Sequence, residues 1–207
     1  MRKPIPLSAR RGAGSLRYVE AHLHPQLETV SNEFGAAQTR VHRLVGVVPE
    51  AAWTRRPDPG RWSIAECIEH LNLTALAYLP LLRTAVDRGR KAGMGWRRRY
   101  RRDPVGWLMW RMAGPPVRHR IKTVAAFVPA AQRPAAQIVA EFDRLQEAQL
   151  ACVAAADGLV LGRLWIRSPF DPRIRYNVYS CLTILPRHQA RHLWQAERVW
   201  DDLRPDT

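Results

Sequence analysis

A chain of 207 residues with 46% hydrophobic content is long enough for one domain with a real core, and the regular return of apolar residues between polar ones excludes general disorder. Lys and Arg total 33 against 18 Asp and Glu, a formal charge of +15, which attracts anionic partners at low salt. Cys67, Cys152 and Cys181 are odd in number and lack a C-x-x-C pair, which excludes a disulfide framework and a thiolate zinc site and suits a reducing, cytoplasmic setting.

The amino end, residues 1–20, is basic and broken by Pro4, Pro6 and the glycines at 12 and 14, so it reads as a flexible arm without the apolar core of a signal peptide. Residues 21–207 form the domain, and no run reaches transmembrane length. From Pro25 to Val47 the residues Leu27, Val30, Phe34, Ala37, Val41 and Leu44, with Val48 just beyond, step by three or four, the stripe of an amphipathic helix. Pro49 stops it, and Arg56-Pro57-Asp58-Pro59-Gly60 makes a rigid turn. Ser63 and Glu66 then form a capping box for a second helix carrying Ile64, Ile68, Leu71, Ala75, Tyr78 and Leu82 to about Arg88, with Pro80 inside it.

Between Gly89 and Pro134 glycines and prolines punctuate a long crossover rich in Arg and Trp. A short helix over Asp103–Met112 is expected there, with Val105, Leu108, Met109 and Met112 on one side. The third long helix follows Pro134 and shows Ile138, Phe142, Leu145, Gln149, Cys152 and Ala156, with Gly158 as its stop. A loop through Ser168-Pro169-Phe170-Asp171-Pro172 leads to the fourth, from about Tyr176 to Leu203. Four long amphipathic segments and no convincing strand predict an all-α four-helix bundle with a long crossover between the second and third helices.

On the fourth helix the inward seam reads Val178, Leu182, Leu185, His188, His192, Gln195 and Val199. Two imidazoles thus stand where apolar side chains would pack, one turn apart, the spacing with which a helix offers two nitrogens to one ion. His70, one turn past Glu66 on the second helix, is the third candidate ligand. Three histidines with positions left open suit zinc, nickel or ferrous iron in a catalytic style of site. Glu66, Glu69 and Gln195 are candidates to orient an imidazole or act as a base. His22, His24, His42 and His119 lack the arrangement and are assigned structural roles. Pro186 cannot donate to Leu182, so a kink that shifts His188 is expected.

Arg61-Trp62-Ser63-Ile64-Ala65-Glu66 leading to His70-Leu71, with His188-Gln189-Ala190-Arg191-His192-Leu193-Trp194-Gln195 far downstream, resembles the DinB-like superfamily. The resemblance runs from about Leu27 to Leu203. It implies a four-helix bundle, one metal on His70, His188 and His192, frequent homodimers, and metal-dependent chemistry with low-molecular-weight thiols in those members whose activity is known. The expected function is therefore transfer of such a thiol to a small electrophilic substrate, with cations of the crossover holding the thiol's polar groups. The alternatives are a metal-dependent hydrolase using Glu66 or Glu69 as base, and a non-catalytic metal-binding bundle of the stress response. Trp96, Tyr100, Trp107 and Trp110 among arginines suit nucleic acid, but no recognition motif accompanies them, so specific nucleic-acid binding is not expected. The apolar side of Val105 to Met112 is short for holding a membrane surface, and roofing the metal site is the other use open to it.

Overall fold

The computed structural model describes residues 23–93, 95, 99–116, 123–129 and 133–204. The expected arm at 1–20, together with His22, Trp96 and His119, lies outside them. Four long helices make the body: α1 (Pro25–Val47), α2 (Ile64–Lys91), α4 (Ala135–Ala155) and α5 (Val178–Leu203), with the short α3 (Pro104–Ala113) in the crossover. Helices α1 and α2 each pack against both α4 and α5. The two therefore stand diagonally across the bundle, and α2 lies directly beside α5.

Local chemistry sets the ends of these elements. Pro25 occupies the first turn of α1, where its missing N–H costs nothing, and His24 Nδ1 accepts from the Gln26 amide at 3.2 Å. The capping box of α2 forms as read: Ser63 Oγ accepts from the Glu66 amide and Glu66 Oε2 from the Ser63 amide. Asp103 caps α3 through the Gly106 amide, and Asn177 caps α5 through the Ser180 amide. Gly158, at φ +74°, supplies the left-handed turn after α4 that a side chain would disfavour. Every residue named above in the stripes of α1, α2 and α4 is buried. They fill two adjoining clusters, one around Phe34, Leu82 and Leu182 and the other around Ile68, Phe142 and Leu193.

One expectation needs correction. The chain does contain strands: β1 (Trp165–Arg167) and β2 (Arg175–Asn177) form an antiparallel hairpin between α4 and α5, pairing Ile166 with Tyr176. Tyr176 accordingly belongs to the hairpin, and α5 begins at Val178. The short helix forms where expected, and its apolar residues divide between two faces. Gly106, Met109, Trp110 and Ala113 face the body, whereas Val105, Leu108 and Met112 are exposed. Helix α5 continues through Pro186, and the Nε2 atoms of His188 and His192 lie 3.1 Å apart.

Candidate metal centre

Because α2 and α5 are neighbours, His70 faces His188 and His192 across a single helix interface. His188 Nε2 lies 3.4 Å from His70 Nε2 and 3.1 Å from His192 Nε2. One ligand atom from each of the three falls within 4.8 Å of the others. Two imidazole nitrogens each about 2.0–2.1 Å from a shared ion lie about 2.9–3.4 Å apart at right or tetrahedral angles. The separations of His188 Nε2 from its two neighbours are those of ligands around one ion.

The protonation state agrees. Burial pushes all three imidazoles to lower pKa, far down for His188 and His192, and the neighbouring rings and Arg191 push those two the same way. Each is therefore neutral at neutral pH, the form that donates a lone pair. Which nitrogen does so is fixed at His70, whose Nδ1–H donates to the Phe127 carbonyl at 2.7 Å and leaves Nε2 for the cluster. Nδ1 of His188 and of His192 is buried without a protein partner. The Gln195 amide stands close enough to His192 to favour its charged form, yet outside hydrogen-bond geometry, and its Oε1 is buried and unpartnered.

An aromatic collar surrounds the histidines. Trp62, immediately before the capping box, has its ring 5.0 Å from that of His70 and 5.9 Å from that of His192. Phe127, from the crossover, stacks on Phe170 at 4.0 Å, and Phe170 lies 6.2 Å from His70 and 6.0 Å from His188. The hairpin aims Phe170 inward because Ser168 Oγ accepts from the Phe170 amide. Low polarity around the rings strengthens any charge interaction inside.

The histidines form one wall of an open cavity of about 1110 Å³, which Met109, Val124, Tyr176 and Trp194 also line. A molecule of cofactor size fits such a space. Positive charge reaches its wall from Arg191 and Arg198, while Arg61, also on the wall, pairs there with Asp202 at 2.6 Å. Among the described residues these cations belong to the approach to α2 and to α5, not to the crossover. The crossover's Arg102 instead lies over Trp110, with Arg187 on the same ring.

The remaining sequence candidates have definite contacts. Glu66 completes the cap and pairs with Arg56. Glu69 pairs with Arg133 at 2.9 Å, and Arg133 also holds Glu141. His24 caps α1, and His42 pairs with Asp143 at 3.0 Å. Cys67 is a cavity neighbour, but burial pushes its thiol up to about 12, so it stays protonated. Sequence reasoning missed the Phe127 carbonyl and the Phe127–Phe170 pair. A backbone carbonyl carries no residue signature, and Phe170 was legible only as part of a turn.

A helical bundle with a three-histidine site able to chelate a divalent metal ion defines the class to which this molecule belongs. The DinB superfamily model matches residues 33–196, which include all three histidines, and the chain belongs to that superfamily. No curated protein and no solved structure matches it.

Proposed function

We propose that this protein is a metal-dependent enzyme that transfers a low-molecular-weight thiol to a small electrophilic substrate. The observation carrying the reading is the convergence of three neutral imidazole nitrogens on the wall of a cavity large enough for both reactants. His70, His188 and His192 would hold the ion, and three protein ligands leave coordination positions for a small molecule. A divalent ion there, whether zinc, nickel or iron, lowers the pKa of a thiol that binds it, so that the nucleophile exists at neutral pH.

The chain's own residues supply the rest. His70 is oriented by Phe127, the rings of Trp62, Phe127 and Phe170 lower the polarity beside the histidines, and Arg191 and Arg198 bring positive charge for a carboxylate. The thiol must come from outside, since all three cysteines are buried and hold their protons. Hydrolysis is the less favoured reading because Glu66 and Glu69 would each have to leave an arginine to act as base. A homodimeric cytoplasmic enzyme is the accompanying expectation, and light scattering measures its first part.

The test is an assay of metal-loaded protein for consumption of small thiols in the presence of electrophiles, run beside hydrolysis of model esters and amides. Thiol transfer that disappears in His192→Ala supports the reading. Hydrolysis without thiol dependence replaces it with a hydrolase. Silence in both replaces it with a non-catalytic metal-binding bundle of the stress response.

A further inference from the structure

Among the described residues, exposed large apolar side chains occur singly or in pairs at Val45, Val47, Leu76 and Trp165, but they concentrate on one short helix and the chain that follows it. Val105, Trp107, Leu108 and Met112, at 45%, 50%, 50% and 47% exposure, share the ten-residue α3, and Val124 and Val128 continue them along the crossover. A cluster of this kind marks an interaction surface. Helix α3 also cannot turn this face inward, because it is pinned on its other side. A Cβ on Gly106 would stand 2.1 Å from Ser180 Oγ. Asp103 accepts from Ser180 Oγ and from the Asn177 amide at 2.8 Å each. Arg102 and Arg187 place their guanidinium carbons 4.2 and 4.1 Å from the Trp110 ring centre.

Charge decides what covers the face. Between Arg88 and Lys122 the sequence has twelve Lys and Arg against one acid, Asp103, which is occupied as the cap of α3. Arg88, Arg90, Lys91, Arg99, Arg101 and Arg111 are exposed, and Arg111 reaches over Trp107 at 5.9 Å. A second copy docked face to face would bring two such basic segments together, which opposes association. Nucleic acid would match the charge but offers nothing to Val105, Leu108 and Met112. We propose that α3 with its basic flanks is a docking surface for an anionic lipid bilayer, with Trp107 and Leu108 entering the interface and the arginines meeting lipid phosphates. Met112, Val124 and Val128 also line the histidine cavity, so the surface borders its mouth, whereas Val105, Trp107 and Leu108 stand outside it.

The experiment is co-sedimentation of the full chain with vesicles of phosphatidylcholine alone or mixed 3:1 with phosphatidylglycerol. At least about tenfold stronger binding to the mixed vesicles is expected, with a loss of about tenfold or more in W107S/L108S and in R99E/R101E. Melting temperature and metal content show that each variant is folded, and neither pair of residues lines the cavity. The proposal is overturned by absence of binding to the mixed vesicles, or by W107S/L108S binding as well as the parent, which marks electrostatics alone. A dimer that W107S/L108S dissociates, without vesicle binding, overturns it in favour of a second copy. Capture by a single-stranded oligonucleotide that needs Trp107, again without vesicle binding, overturns it in favour of nucleic acid.

Discussion

Of the three imidazoles, His70 is the one whose second nitrogen the protein itself engages, through the Phe127 carbonyl. Removing a ligand should therefore act on metal content before anything else. Elemental analysis should find about one divalent ion per chain in the parent and close to none in His70→Ala or His192→Ala. Unchanged metal in both variants would place the ion elsewhere. Glu66 gives a separate prediction with a pH signature. Burial alone would raise its pKa, but hydrogen bonds from Arg56 and Ser63 and the Arg56 charge outweigh this and hold it below the ordinary carboxylate value. A depressed carboxylate stabilises the fold above its unfolded pKa, about 4.3, and that share is lost as pH falls through the folded value. Glu66→Gln should cost about 1 kcal/mol at neutral pH, and the gap to the parent should close in urea melts taken below pH 4. A gap that persists there would show that the carboxylate charge is not the source.

At the scale of elements, α3 offers the sharpest test. Alanine in place of a helical glycine ordinarily gains about 1 kcal/mol. At Gly106, however, the added carbon meets the Cβ of Ser180 at 2.2 Å and its Oγ closer still, and neither atom is the far end of a flexible chain. Overpacking of about 1–3 kcal/mol should win, so Gly106→Ala is expected to lower the melting temperature. A rise would mean that α3 lifts from α5 at little cost. The same elements show what the residues reveal unaided. The bounds of α1 follow from Pro25, the apolar stripe and Pro49, and the start of α2 follows from the Ser63–Glu66 box. The hairpin escaped because three residues per strand are too few for alternation to register. How α3 packs was not legible because its most intimate contact is a glycine, invisible to any hydrophobic pattern. At the centre, His70, His188 and His192 were legible through helical spacing and resemblance, whereas Phe127 and Phe170 reach it from loops whose paths only the folded chain defines.

For the whole molecule, the three histidines join α2 to α5, so an ion held by them would add to the stability of the fold. An ion that binds only the folded state at about one hundred times its Kd stabilises by about 2.7 kcal/mol. For a chain of this size that corresponds to about 5–10 °C in melting temperature. Chelation should lower the melting point by that amount in the parent and leave His192→Ala unmoved; equal shifts in both would show that the chelator acts on something else. The core supplies an independent comparison. Phe142, buried between α4 and its neighbours, should cost about 3–5 kcal/mol when cut to alanine, with metal binding retained under conditions where the variant stays folded.

The contact between the Phe127 carbonyl and His70 gives the segment joining α3 to α4 a duty that ordinary connecting chain lacks. Its backbone selects the tautomer of a ring on another helix, so lengthening or shortening it by one residue would retune affinity for the ion without touching a single ligand. Evolution or engineering can thus adjust this centre from a stretch that looks, residue by residue, like spacer.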